Sequence, residues 1–524
     1  MREIISLNEG WTLSFPKGER AAEAVTLPHT WNAVDGMDGN GSYLRTTGVY
    51  SRTFKKPEQP LAGGRVYVEV LAAALDATVK VNGTVATTHE GGFSIFRADI
   101  TDLCRDGDNE LTIEVSNEDT PSMYPASADF TFYGGLYRGV NLISVPNAHF
   151  DLDYYGGPGI MVTPKPTANG GATFEIKSFV TNPDDSFTVM YSIEDPYGCE
   201  VASAVRPADS TAVTIYVPDA ELWSMDEPNL YTVVARLQRN NEAFDEIYAN
   251  VGVRSYTVTP DGGFSINGEA TPLRGVSRHQ DKLYKGNALT VEDHYQDAQI
   301  IKELGANTIR LAHYQHSQDF YNACDELGFA VWAEIPFISV FKSGKDAHEH
   351  CRRELTELIV QNYNHPSILF WGISNEILIG GISQELVDCH HDLQKLCKEL
   401  DPTRLTTIAH VSSTPTTGPC TALPMWKATT TTLAGTAARS SRTARGWTNS
   451  TPRTRISALA SPSTAARALS TGTATPPSAR TTLRSIRHCT TSTWHRPLRT
   501  ARGSGQATSG TCSTSAAQPA VRAV

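Results

Sequence analysis

The acidic residues of this chain stop well before its end, and that limits what can fold. Asp401 is the last carboxylate in 524 residues. From Cys420 to Val524, 105 residues carry 13 Arg and one Lys but no Asp, Glu, Tyr or Phe. Residues 1–419 hold 31 basic and 56 acidic residues, a net −25, against +14 beyond them. Thr, Ser, Ala and Arg dominate 420–524, and its apolar residues follow neither a strand nor a helix period. That composition buries too little apolar surface to offset chain entropy, so 420–524 is expected to be a disordered tail. Ordered structure is expected in residues 1–419, enough for about three domains.

Residues 1–150 alternate apolar and polar with period 2 at Val66–Val70, Ala77–Val81 and Glu110–Val115. Asn82–Gly83 and Asp106–Gly107 supply turns between them, predicting an antiparallel sandwich. A second set over 151–258 (Ala172–Ile176, Phe187–Tyr191, Ala212–Val217 and Tyr231–Leu237) predicts an immunoglobulin-like sandwich. From Pro272 strands and helices alternate. Leu273–Val276, Asn307–Leu311, Phe329–Ala333, Ser367–Ile373 and Leu405–Ala409 are near-continuously apolar, as in a parallel sheet buried on both faces. Helices are predicted at 291–304, 317–327, 346–362 and 383–400. Polar residues gather at the carboxyl ends of these strands: Arg278–His279, Arg310 and His313, Glu334, Asn375–Glu376, His410. That is the catalytic end of a β/α barrel, here with five of eight units.

Several function classes drop out. No run of about 18 apolar residues exists to span a membrane. The acidic balance, −11 for the whole chain, argues against a nucleic-acid partner. The amino terminus turns polar too early for a signal peptide, and nine cysteines without a CxxC pair suggest reduced thiols, so a cytoplasmic location is expected.

Asn375–Glu376 is the strongest chemical signal. A Glu at the mouth of a buried strand, with Trp371 near it in sequence, is expected to have a raised pKa suited to protonating a leaving oxygen. The run Asn364–His365–Pro366–Ser367 through Trp371–Gly372–Ile373–Ser374–Asn375–Glu376 is far more specific than the pair. With it come Leu27–Pro28–His29–Thr30–Trp31–Asn32, Gly48–Val49–Tyr50–Ser51–Arg52, Gly134–Gly135–Leu136–Tyr137–Arg138, Arg274–Gly275–Val276–Ser277–Arg278–His279 and Asn307 to Tyr314.

In these motifs, over residues 1–419 and in order, the chain resembles glycoside hydrolase family 2, the β-galactosidase and β-glucuronidase family. The resemblance implies a jelly-roll, galactose-binding-like sandwich (1–150), an immunoglobulin-like sandwich (151–258) and a truncated TIM barrel (259–419). It implies Glu376 as acid/base, Asn375 as partner of the sugar 2-hydroxyl, and Arg310, His313 and His279 as sugar- and carboxylate-contacting residues. Two departures stand out. Ser277 occupies a position where many members have Asn. Phe337–Ile338–Ser339 replaces the Glu-x-His pair of magnesium-dependent members, so no cofactor or metal is expected.

A retaining glycosidase needs a second carboxylate as nucleophile. The family keeps it in a Ser-Glu-Tyr-Gly run on the seventh barrel strand, and no acid follows Asp401, so the nucleophile is absent. A one-base loss near the codons for Gly418–Pro419 accounts for this. Read one base out of step, Cys420–Lys427 can encode Met-His-Gly-Ile-Thr-Asp-Val-Glu, and Thr429–Gly435 fits Tyr-Asn-His-Tyr-Phe-Gly-Trp. Ser461–Ala466 fits a shifted Ser-Glu-Tyr-Gly-Cys, and Gly510–Ser515 fits Trp-Asn-Met-Phe-Asp-Phe-Gly. The expected ancestor is a retaining β-galactosidase acting on a β-galactoside or related glycoside, with room for an oligomer. The alternatives are a β-glucuronidase or a catalytically dead carbohydrate-binding protein, and the polypeptide as written is expected to be inactive.

Overall fold

The computed structural model describes residues 1–37, 42–57, 63–210, 212–259 and 262–411, with the backbone alone at 411 and at Trp426–Thr430. Two sheets face each other in the first sandwich. One runs Glu23–Val25, Trp11–Ser14, Thr47–Lys55, Asp108–Ser116, Asp76–Val81, Thr84–Glu90; the other runs Glu3–Ser6, Val140–Val145, Arg65–Val70, Phe96–Asp99. Trp11, Tyr50, Val68, Val79 and Ile113 fill the space between them. Asn82 and Gly83, both at positive φ, close the hairpin from Val81 to Thr84. The second sandwich packs Ile160–Pro166, Ala172–Ser178 and Val213–Val217 on Glu200–Pro207, Phe187–Glu194, Tyr231–Arg239 and Glu242–Val251. Its seven strands match the immunoglobulin-like count.

The third unit is an all-parallel sheet with helices outside. Its strands are β1 (Gly275–Arg278), β2 (Thr308–Leu311), β3 (Ala330–Glu334), β4 (Ile368–Asn375), β5 (Leu405–Val411) and β6 (Trp426–Thr430), hydrogen-bonded in that order. The helices are α1 (Val291–Glu303), α2 (Gln318–Leu327), α3 (Lys345–Asn362) and α4 (Gln384–Leu400). Local chemistry sets their ends. Thr290 and Asp293 form a capping box on α1, Ser317 and Ser383 cap α2 and α4, and Gly328 at φ 70° ends α2. A Cβ at Gly328 would stand 2.5 Å from the Met225 carbonyl oxygen, so the same glycine lets the connecting segment of the second sandwich pack on the barrel.

β6 corrects the expectation for the tail. It lies inside the segment expected to be disordered, yet pairs in parallel with β5 from Thr407↔Trp426 to Val411↔Thr430. An open strand edge recruits backbone, whatever the charge balance of the recruited segment, and Trp and Thr suit a pleated surface. The remainder of 420–524 lies outside the described residues.

The motifs of the first sandwich carry a segment onto the barrel mouth. Gly134 lies under Trp31, where an added Cβ would come within 2.0 Å of the indole, and Gly134 N–H donates to Asn32 Oδ1 at 2.7 Å. Arg138 then crosses to the barrel, donating to the Gln315 carbonyl at 3.0 Å. Further along, Lys342 Nζ donates to the Thr120 carbonyl and, at 2.9 Å, to that of Met123. Glu357 of α3 joins His89 at 3.0 Å and Ser94. The other end of the barrel is closed by the hairpin Tyr256–Thr259 and Gly263–Ile266, whose Phe264 and Ile266 pack with Trp332, Leu369 and Phe370.

Candidate active site

Three strand ends bring their polar side chains together. Glu334, the last residue of β3, has no exposed surface. Arg310 on β2 grips it with both arms, Nε to Oε2 at 3.0 Å and Nη2 to Oε1 at 2.9 Å. His313 Nδ1–H donates to the same Oε1 at 2.6 Å, and Arg310 Nη2 also donates to Asn375 Oδ1 at 2.6 Å. Burial pushes the Glu334 carboxyl up, but Arg310 and His313 more than reverse this, holding it below the usual carboxylate range and ionised. The guanidinium of Arg310 lies 4.7 Å from the centre of the Trp332 ring, so it is held from three sides.

The geometry at Asn375 depends on a bulge. Gly372 opposes Thr407 and Ser374 opposes Ile408, leaving Ile373 as an extra residue in β4. A period-2 strand would put residues 372 and 374 on one face. Instead, Ser374 hydrogen-bonds His390 of α4 at 2.8 Å, while Asn375 turns inward to Arg310. Gly372 faces inward too: a Cβ there would lie 2.3 Å from Trp332 Nε1 and 2.6 Å from Glu334 Cβ. Glu376 follows in the left-handed conformation, φ 49°, its N–H on the Ala409 carbonyl at 2.8 Å and its side chain partly exposed.

His279, at the end of β1, stands beside this network rather than in it. Its ring centre is 5.3 Å from that of His313 and its Nδ1 is 3.2 Å from Tyr314 Oη. Burial, aided by His313, depresses its pKa to about 3, which keeps the ring neutral. Phe130, from the segment that the first sandwich lays over the mouth, packs on both histidines at 5.0 and 6.2 Å. Sequence reading placed Arg310, His313, His279, Asn375 and Glu376 at one end of the barrel, and the structure brings them there. It did not single out Glu334 as a site residue. The available signal was its place as the final, charged residue of an otherwise apolar strand.

Trp371 does not desolvate Glu376. It points to the helix side, where its Nε1 donates to Asp401 at 2.9 Å and Arg404 lies 5.3 Å from its ring. Five positions and a bulge separate the two residues, so nearness in sequence does not become contact. Arg278 likewise points away from the cleft, gripping Asp297 at 2.7 Å and donating to His316 Nδ1 at 3.1 Å and His294 Nδ1 at 3.2 Å.

Those two rings accept from a guanidinium and are therefore neutral. Burial and then the Arg278 charge depress His294 to about 2 and hold His316 well down; burial and then His410 bring His390 to about 3. An unfolded histidine titrates near 6.5, so the unfolded chain takes up these protons first. Stability is thus full above pH ~6.5 and is lost as pH falls from there toward ~3, by up to ~1.4 kcal/mol per pH unit for each histidine. Urea unfolding at pH 7 and pH 5 should show a clearly lower midpoint at pH 5; an unchanged midpoint would refute these neutral buried rings.

A sugar-binding-type sandwich, an immunoglobulin-like sandwich and a β/α sheet with a Glu at its carboxyl end define a multidomain glycosidase architecture. The chain matches three family models: "Glycosyl hydrolases family 2, sugar binding domain" over residues 14–146, "Glycosyl hydrolases family 2" over 159–254, and "Glycosyl hydrolases family 2, TIM barrel domain" over 258–435. It belongs to glycoside hydrolase family 2. The crystal structure of an FMN-binding beta-glucuronidase from Facaelibacterium prausnitzii L2-6 is similar at 92% identity and TM-score 0.82, over 82% of this chain and 67% of that one. A beta-glucuronidase of Bacteroides fragilis is 32% identical over 427 residues, covering 78% of this chain and 61% of the relative. A beta-galactosidase of Bacteroides ovatus is 28% identical over 412 residues, 72% and 47% respectively. The chain thus spans about half to three fifths of the length of these curated relatives.

Proposed function

We propose that this chain derives from a retaining β-glucuronidase, and that Glu376 delivers the proton to the departing glycosidic oxygen. The observation that carries the reading is the 92% identity, over 82% of the chain, to a protein described as a beta-glucuronidase. This favours the alternative over the β-galactosidase expected from the motifs, which do not separate the two. Asn375 is assigned to the sugar 2-hydroxyl, with its amide oxygen fixed by Arg310. Arg310 is committed to Glu334 and Asn375, so its charge is already compensated and its role becomes positioning. His313 is tied to Glu334 as well, leaving neutral His279 to offer a polar edge to the sugar.

The F. prausnitzii relative is described as FMN-binding. Acid/base glycoside hydrolysis moves protons and no electrons, so no step assigned here runs through a flavin. The substrate reading is tested on the polypeptide encoded after the frame at codon 420 is restored. Its kcat/KM for p-nitrophenyl β-D-glucuronide should exceed that for the galactoside by at least ~100-fold, because a site built to pair the glucuronide carboxylate leaves its groups unpaired with galactose. Equal rates, or preference for the galactoside, would return the β-galactosidase reading.

A further inference from the structure

The bulge in β4 needs a partner outside the strand. Trp371 and Gly372 alternate as in a regular strand, Trp371 toward the helices and Gly372 inward. Continued without the extra residue, that alternation would send Ser374 to the barrel interior and Asn375 to the helix layer. Both residues are polar, so no hydrophobic pattern within the strand chooses between the two registers. A residue of α4 makes the choice. His390 has no exposed surface, and its Nε2 lies 2.8 Å from Ser374 Oγ. Burial keeps this ring neutral, so the pair is a hydrogen bond between uncharged groups. The same ring packs on Phe337, with ring centres 5.7 Å apart. Phe337 in turn holds the next residue of β4: its carbonyl accepts the Asn375 N–H at 3.0 Å, and Ser339 N–H donates to the Asn375 carbonyl at 3.2 Å. One imidazole therefore holds the residue before Asn375 and packs on the residue whose carbonyl holds Asn375.

We propose that His390 is a positioning residue: from the helix layer it fixes the bulged register of β4 and thereby aims Asn375 at the sugar and sets the backbone of Glu376. The inference rests on the reading of Asn375 as partner of the sugar 2-hydroxyl. His390 acts through Ser374 and Phe337. With an apolar side chain at position 390 the Ser374 hydroxyl would stay buried without its partner, and the register without the bulge would become competitive.

The test uses the full 524-residue chain and two readouts. Hydrogen exchange resolved along β4 should accelerate about tenfold at Asn375 and Glu376 in His390→Leu and in Ser374→Ala, the effect of one lost hydrogen bond. The amides of Leu369–Trp371 should exchange as in the parent. His390→Gln, whose amide can still reach Ser374, should restore parent behaviour. Saturation-transfer NMR titration supplies the second readout. The parent should bind methyl β-D-glucuronide about tenfold more tightly than its 2-deoxy analogue, a ratio worth one hydrogen bond. That ratio should fall close to unity in His390→Leu and Ser374→Ala and return in His390→Gln. Ser374→Ala removes only a hydroxyl, so it reads the contact without a large cavity. Exchange unchanged at residues 375 and 376, or raised evenly along β4, overturns the role of His390 while the glucuronide reading stands. Local acceleration with the ratio still near tenfold overturns the link to the sugar. A parent that binds neither sugar, or both alike, ends the reading of Asn375 and the positioning role together.

Discussion

Restoring one base ahead of codon 420 should yield an active glycosidase, whereas the chain as written should show no turnover. The 524-residue chain has no carboxylate beyond Asp401, so it lacks the nucleophile that the family carries on its seventh strand. Loss of a catalytic nucleophile costs on the order of 10⁵–10⁶-fold in turnover, and the gain on repair should be at least as large. In the restored enzyme Glu376→Gln should slow glycosides with poor leaving groups by ~10³-fold, while activated aryl glycosides lose far less in the glycosylation step. Azide should then rescue the second step, because a small anion attacks without a general base. Equal slowing of both substrate types, with no azide rescue, would remove Glu376 from the acid/base role. Turnover by the sequence-verified chain as written would refute the missing nucleophile itself.

Glu334→Ala should be among the most damaging single changes outside the reacting groups. It would leave the Arg310 guanidinium, 6% exposed, without either carboxylate oxygen, and His313 without its acceptor. Removing one partner of a buried pair costs about 3–5 kcal/mol, since the other charge stays buried and uncompensated. Urea unfolding of the variant should register that loss. The double variant Arg310→Met/Glu334→Leu should recover much of it, because apolar replacement of both partners removes the stranded charge. A loss below ~1 kcal/mol in Glu334→Ala would show that the pair is solvated after all. Asn375 should feel the change as well: without a fixed Arg310 its amide is free to rotate, so sugar affinity should drop more than the fold does.

Period-2 runs with Asn–Gly and Asp–Gly turns specified the sandwiches, because local alternation and turn chemistry need no distant partner. Caps at Thr290, Ser317 and Ser383 and the glycine at 328 set helix ends to within a residue or so for the same reason. The strand-end grouping of His279, Arg310, His313, Asn375 and Glu376 was equally legible, since in a parallel barrel every carboxyl end faces one mouth. Contact between side chains from different strands was not. The bulge at Ile373, in the pairing of β4 with β5, reverses the facing of Ser374 and Asn375, and nothing in the local sequence marks it. Trp371 went to Asp401 on the helix side for want of any local signal, and β6 joined an open edge that composition cannot reveal. Glu334 became the centre of the site because folding placed Arg310 and His313 against it. The sequence by itself determined the periods, the caps and the order of units, all set by neighbours along the chain. Pairing across strands decided which polar groups meet, because burial makes each depend on a partner tens of residues away.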